Sequence, residues 1–317
     1  MRKLLFICAA MLGVAVAAGS ATVVTGDVTG DGQVDIADVN AVINVMLGKI
    51  DTSDELQAAS DVTGDGQVDI ADVNAVINIM LGKVQPGDVF ARLEADMVTV
   101  EGGTFDMGTA DGVAPYSHAW ERPVHSVTLP AFKVCRYEVT QDLWQAVMSS
   151  NPSAFEGERR PVEMVSWADA QAFVQKLVEK TGKPYRLLTE AEWEYAARGG
   201  QHQSTALYAG GDHLTQVAWT AANAGGETHA VGLLQPNALG LYDMSGNVLE
   251  WVQDTHADTY AVWPAANVWQ AEGGDPVVRG GSWRWGGNYC RNTWRGYFPA
   301  ATTNSYLGLR LACDINL

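Results

Sequence analysis

Two stretches of the chain carry residues at spacings that could do chemistry. The first, RGGSWRWGGNYCRNTWRGYF at 279–298, holds three Trp, two Tyr, one Phe, four Arg and one Cys, Cys290, in twenty positions. A thiol there could serve as nucleophile or soft metal ligand. The aromatic faces could instead stack on sugar rings or apolar side chains, with guanidinium groups gripping carboxylate or sulfate. The second stretch, DVTGDGQVDIADVNAVINVMLGK at 27–49, recurs at 61–83 with one substitution, Val45 against Ile79, a period of 34 residues. Aspartates fall at loop positions 1, 5, 9 and 12 of each copy: Asp27, Asp31, Asp35 and Asp38, then Asp61, Asp65, Asp69 and Asp72. Gly32 and Gly66 sit at position 6, where such a loop turns sharply, and the carbonyls of Gln33 and Gln67 fall at position 7. Four aspartates drawn together repel unless a cation stands between them, and a flexible loop of hard oxygens suits calcium.

The elements that position these loops follow from periodicity. Val39, Val42, Ile43, Met46 and Leu47 recur at helical spacing with Gly48 as a stop, so each loop is expected to run into one helix. No helix is expected ahead of the loops. The result is a small all-α module with two calcium loop–helix repeats, and it resembles the type I dockerin family. The resemblance covers about residues 26–85, and the module is placed at 22–85. It implies a calcium ion in each repeat and a cohesin-like partner. Recognition residues would be Ile36, Ala37, Ile70 and Ala71, and two near-identical repeats suggest two equivalent faces. Thr29 and Thr63 stand at position 3, where the family usually has Asn or Asp.

Ahead of that module, Arg2 and Lys3 precede an apolar run from Leu4 to Ala18 and small residues to Ala21. This pattern is read as a cleaved secretory signal over 1–21, which places the protein outside the cytoplasm, extracellular or periplasmic. No other stretch is apolar and long enough to span a membrane. Cys135, Cys290 and Cys313 then remain, too few for a disulfide framework and odd in number. A net charge of -17 argues against nucleic acid and anionic membrane surfaces as partners. Residues 22–88 alone hold 12 acidic residues against 2 lysines, which is where a cation would be needed.

Past a turn-rich linker at 86–91, residues 92–317 change character. Helices are expected from Thr140 in TQDLWQAVM, from Ser166 to the Gly182 stop, and from Thr189 with Glu192 as capping box to Gly199. Short scattered strands and many glycines complete an α+β domain with much irregular backbone. Glu190, Glu192 and Glu194 read as a solvated first helical turn, and the six histidines, 118, 125, 202, 213, 229 and 256, as structural. In GLYDMSGNVLEW, 240–251, Asp243 and Glu250 flank a tight turn whose carbonyls can converge on calcium.

Eight ordered blocks now carry a second resemblance. VEGGTFDMG, RPVHSVTL, YEVTQDLW, PVEMVSWADAQAF, YRLLTEAEWEYAARGG, NALGLYDMSGNVLEWV, VVRGGSW and LGLRLA are similar to those of the formylglycine-generating enzyme, or sulfatase-modifying factor, family. The resemblance implies an irregular fold related to C-type lectins. It also implies a calcium site at Asp243, the carbonyls of Gly246 and Val248, and Glu250. The family's enzymes hold copper with two cysteines five residues apart after GGS; here the second position is Cys290, but the first is Trp285. Ser282 matches the family's site serine. An indole cannot ligate copper, so copper is not expected and the fold is expected to act as a binding surface rather than an oxidase. The ligand, glycan or protein, is assigned to Trp285, Tyr289, Arg291, Trp294 and Arg295. Of these Trp285, Tyr289 and Arg291 are expected to be exposed, with Trp283 in the core. The different-class alternative is an active oxidase, or another enzyme of this family, recruited by its dockerin.

Overall fold

The computed structural model describes residues 26–31, 33–50, 53–62, 68–80, 89–114, 116–262 and 273–315. Residues 1–21, read above as a secretory signal, and the loop residues Gly32, Thr63, Asp65, Gly66 and Gln67 lie outside the described residues. Two compact units divide the chain, Met1–Gly87 and Asp88–Leu317. Among the described residues no helix is long and apolar enough to cross a membrane.

In the first unit helices α1 (Ile36–Met46) and α3 (Ile70–Met80) pack through Val28, Val39, Val42, Val73 and Val76. Of the predicted stripe Val39 and Val42 are buried and Ile43 and Met46 half-buried, but Leu47 is 53% exposed and Val45 is buried in its stead. Asp35 caps α1 by accepting the Ala37 N–H at 2.7 Å, and Asp38 accepts back from Asp35 N at 2.8 Å. A third helix, α2 (Asp54–Ser60), precedes the second loop, contrary to the expectation of one helix per repeat. Its sequence, DELQAAS, has a single large apolar residue, Leu56, and shows no periodicity to read. A serine cap, Ser53 Oγ to Leu56 N at 3.2 Å, starts it.

The second unit opens with α4 (Val89–Ala95), a helix where a linker was expected. Strands β1 (Met97–Val100), β2 (Gly103–Met107), β3 (His125–Leu129) and β4 (Phe132–Cys135) follow. Next come α5 (Gln141–Met148), α6 (Trp167–Thr181), β5 (Tyr185–Leu187) and α7 (Glu190–Ala197). The C-terminal part adds α8 (Leu214–Val217), β6 (Ala218–Trp219), β7 (Ser245–Gly246), β8 (Leu249–Thr255) and β9 (Pro276–Arg279). It ends with β10 (Arg295–Tyr297), β11 (Leu307–Leu309) and β12 (Leu311–Asp314). One sheet runs β1-β4-β12-β5 and a second β10-β9-β8-β11, with the pairs β2-β3 and β6-β7 apart. The three helices predicted in this unit form where expected. Ser166 and Gly182 cap α6, the latter left-handed at φ 69°, and Thr189 with Glu192 forms the capping box of α7.

The first turn of α7 is not solvated. Glu190, Glu192 and Glu194 are all fully buried. A buried carboxylate is tolerable only when paired. Arg295 reaches Glu190 at 2.7 Å, Arg279 reaches Glu194 at 2.6 Å, and Arg186 forks onto Glu192 at 2.7 and 2.9 Å. Burial opposes ionisation of Glu194, but Arg198 and Arg279 outweigh it and hold the carboxyl below its ordinary range. These pairs tie α7 to β5 and to β9 and β10, the two strands that bracket the aromatic stretch.

Candidate functional site

The stretch 279–298 starts at the end of β9 and returns through β10, so one sheet holds both its ends. Between them Gly280 and Gly281 take left-handed conformations, φ 94° and 75°. A Cβ on Gly281 would stand 2.6 Å from the Cys290 Sγ, so only glycine allows the thiol to sit there. Ser282 and Cys290 are fully buried. Burial pushes the Cys290 thiol up to about 12, against weaker help from the Ser282 and Gly246 backbone. Cys135, Cys290 and Cys313 are all free and buried, so the bridge the sequence left open does not form.

Four aromatic residues, Trp285, Tyr289, Trp294 and Tyr306, form one contiguous group. The Trp285 ring lies 5.3 Å from Tyr289, 5.0 Å from Tyr306 and 6.4 Å from Trp294, and Tyr289 lies 5.7 Å from Trp294. Tyr289 is 41% exposed and Trp285 half-buried, whereas Trp294 belongs to the core. Trp283 is half-buried, with Nε1 donating to the Ser305 carbonyl at 2.9 Å.

The arginines depart from expectation. Arg291, placed in the exposed groove by the sequence reading, is 1% exposed and Arg295 fully buried. Arg291 donates to Glu121 at 2.6 and 2.8 Å, and Thr293 joins the same carboxylate at 2.9 Å. With Arg279 also buried, three of the four guanidinium groups in the stretch point inward to glutamates. The exposed one is Arg284, whose guanidinium lies 5.5 Å from the Tyr306 ring. Neither Arg284, inside the aromatic motif, nor Tyr306, eight residues beyond its end, was among the expected ligand residues.

The turn at 243–250 splits the predicted calcium set. Asp243 is 3% exposed and held left-handed at φ 57°; its Oδ2 accepts the Gly232 N–H at 2.8 Å, and its Oδ1 is buried without a partner. Gly246 is forced, since a Cβ there would meet the Trp219 carbonyl oxygen at 2.3 Å. Val248 is fully buried. Glu250 is paired with a guanidinium: Arg310 donates to both its oxygens at 2.7–3.1 Å, and Trp193 Nε1 donates at 2.7 Å. This carboxylate, part of the calcium set that the family resemblance implies, is thus already paired within the protein. Glu138, 1% exposed, joins Asp243 and Glu250 as a third buried carboxylate here, accepting from Val248 N at 3.1 Å and Asn247 Nδ2 at 2.7 Å. Burial, then the charge of Asp243, pushes Glu138 well above its ordinary range, and burial pushes Asp243 up to about 6. An orphaned oxygen and two buried acids that disfavour each other's ionisation fit a bound cation. Among the described residues, however, no group of three or more His, Cys, Asp or Glu is arranged to hold a metal.

In the first repeat the loop is already folded on its carboxylates. Asp27 Oδ1 accepts from Gly30 N at 2.7 Å and Asp31 N at 3.1 Å, Asp31 Oδ1 accepts from Gln33 N at 2.9 Å, and Asp38 Oδ1 accepts from Thr29 N at 2.9 Å. The second repeat repeats the position-12 contact, with Asp72 Oδ2 accepting from Asp69 N at 2.9 Å. Asp38 and Asp72 are fully buried, and Ile36 and Ile70 are each 61% exposed.

The Chaperone protein LppX of Paenibacillus barcinonensis is 33% identical over 68% of this chain and 88% of its own length. A Formylglycine-generating enzyme of Streptomyces coelicolor is 30% identical over 69% of this chain and 90% of its length. The solved structure of Treponema denticola variable protein 1 superposes with a TM-score of 0.60 at 32% identity, covering 69% of this chain and 94% of that one. With residues 86–315 matching the sulfatase-modifying factor enzyme 1-like domain and 25–81 the dockerin type I domain, the chain belongs to the sulfatase-modifying factor enzyme 1-like family and carries a dockerin.

Proposed function

We propose that this is an exported docking protein. After loss of residues 1–21, a calcium-loaded dockerin module attaches it to a cohesin-like module, and the C-terminal domain, a lectin-like variant of its family fold, binds a glycan or protein. One observation carries this reading: Trp285 stands where copper ligation needs the first thiolate. Beside it, Cys290 is buried, without a partner cysteine and held in its thiol form. The ligand surface is narrower than the sequence suggests. It consists of Trp285, Tyr289, Tyr306 and Arg284, with Trp294, Arg291 and Arg295 behind it as support. Aromatic faces and one exposed guanidinium suit a sugar ring or an apolar side chain next to an anionic group.

Calcium would occupy each dockerin repeat, the carboxylates collecting around it as the loop already bends. In the C-terminal domain it would be held by Asp243 and the carbonyls of Gly246 and Val248, with Glu138 beside them. There it would neutralise two buried acids and stiffen the turn beneath the aromatic surface. Equal exposure of Ile36 and Ile70 supports two equivalent docking faces.

The second reading, an enzyme of this family, is favoured by the retained Ser282 and Cys290 and by identity along most of the Streptomyces enzyme. Incubating the full chain with Cu(I), oxygen and a sulfatase-motif cysteine peptide separates the two. The expected result is a peptide of unchanged mass. Conversion of its cysteine to the aldehyde would overturn the binding-only reading.

A further inference from the structure

A cavity of about 450 Å³ opens in the second unit among the segments 106–114, 198–212 and 292–293. Its size is that of a small-molecule or side-chain site. At its wall stands Asn292, 2% exposed. The amide Nδ2 donates to the Ala206 carbonyl at 3.0 Å, which fixes the amide's orientation because that carbonyl can only accept. Arg279 fixes the Asn292 main chain by donating to its carbonyl at 2.9 Å. Asn292 Oδ1 is then left buried with no partner. An acceptor held rigidly in that state is unfavourable unless something donates to it.

The rest of the lining says what the donor would be. Asp106 and Asp212 are exposed carboxylates on the cavity, and Asp212 is held there by the Leu207 N–H at 2.8 Å. The one basic residue of the lining, Arg198, is occupied, donating to Glu194 at 2.8 Å and to the Gly108 carbonyl at 3.0 Å. Glu194 is shared with Arg279 and offsets that charge only in part, but the two aspartates outnumber Arg198 on the lining. Apolar surface completes the rim, with Val113 73% and Val124 40% exposed. Two carboxylates, one neutral buried acceptor and an apolar rim complement an alkyl stem ending in a cation.

We infer that this cavity is a second binding site, separate from the aromatic surface, and that it takes an alkyl ammonium or guanidinium group such as a basic side chain. The stem lies along Val113 and Val124, the charge faces Asp106 and Asp212, and an N–H fills the vacant acceptor of Asn292.

The test uses the full chain and two probes with the same stem, cadaverine and its neutral counterpart pentanediol. Calorimetry is expected to show cadaverine binding about tenfold tighter than the diol, weakening as salt is added. The double substitution Asp106→Asn, Asp212→Asn keeps an acceptor for the Leu207 N–H and should reduce cadaverine to the level of the diol. In the unsubstituted protein the Asn292 side-chain amide resonances should shift on titration. Equal binding of amine and diol, unchanged amine affinity in the double variant, or an unmoved Asn292 signal would each overturn the assignment.

Discussion

Arg291 grips Glu121 through two parallel hydrogen bonds, 2.6 and 2.8 Å, across 170 residues of sequence, with both side chains closed to solvent. The pair anchors the aromatic stretch to the segment after β2. Removing one partner strands a buried charge. Arg291→Ala is therefore expected to destabilise the second unit by about 3–5 kcal/mol, measured by urea denaturation. The double variant Glu121→Gln, Arg291→Met should recover much of that loss. If Arg291→Ala left stability unchanged while abolishing ligand binding, the arginine would belong to the ligand surface after all.

The thiols make a second prediction. Burial pushes Cys290 up to about 12 and Cys135 up to about 11, and raises Cys313 as well. Only the thiolate reacts with alkylating reagents or binds a soft metal. At pH 8 the native protein should leave all three unlabelled by iodoacetamide, and denatured protein should label all three, counted by intact mass. Rapid native labelling at Cys290 would contradict its burial.

What sequence could show divides cleanly along the physics. Trp285 for cysteine and the repeated aspartates are identities at fixed spacing, and spacing survives in one dimension. Caps are local too, so Ser166, Gly182, Thr189 and Glu192 announced their helices. The inward turn of Arg291 and Arg295 was not legible, because their partners Glu121 and Glu190 lie over 100 residues away. The same distance hid Glu138, and α2 lacked an apolar stripe. The Asn292 cavity is built from three segments that share no motif.

Glu163 should give the second unit a measurable pH dependence. Its side chain is fully buried, Oε1 accepts from Phe155 N at 2.8 Å, and Oε2 has no partner. Burial raises its pKa to about 7. A carboxyl whose folded value lies above its unfolded value keeps its full contribution below the unfolded value and loses it as pH rises through the folded one. Stability should therefore fall between about pH 5 and pH 8, by up to roughly 3 kcal/mol. Glu163→Gln should flatten that slope in urea denaturation at several pH values, whereas an unaltered slope would place the titrating group elsewhere.

Calcium should act on the first unit through the loops. Asp27, Asp35 and Asp38 crowd their oxygens onto a few backbone N–H groups, an arrangement that self-repulsion opposes. An ion bound only by the folded loop adds about 2.7 kcal/mol at a hundredfold excess over its dissociation constant. A chelator is expected to lower the melting temperature of the first unit, followed by the loss of helical circular dichroism. Asp27→Ala with Asp61→Ala should remove that sensitivity. Magnesium at equal concentration should restore less, because a flexible oxygen-rich loop favours the larger ion.

Trp285 and Tyr289 neighbour each other at 5.3 Å yet are held differently, and this separates binding from support. Tyr289 is 41% exposed at the end of a short turn, so truncating it removes little packing. Trp285 packs between Trp294 and Tyr306, and its carbonyl accepts the Ala221 N–H at 3.1 Å. Tyr289→Ala should cost under about 1 kcal/mol of stability, and Trp285→Ala about 2 kcal/mol, since its ring is only partly withdrawn from water. Both should lose the same ligand in a screen of oligosaccharides and peptides, because a stacking ligand needs the adjoining faces together. Melting curves recorded beside the screen distinguish the cases. Loss of binding by Tyr289→Ala at an unchanged melting temperature assigns the ligand to this surface, and full binding by both variants removes it from there.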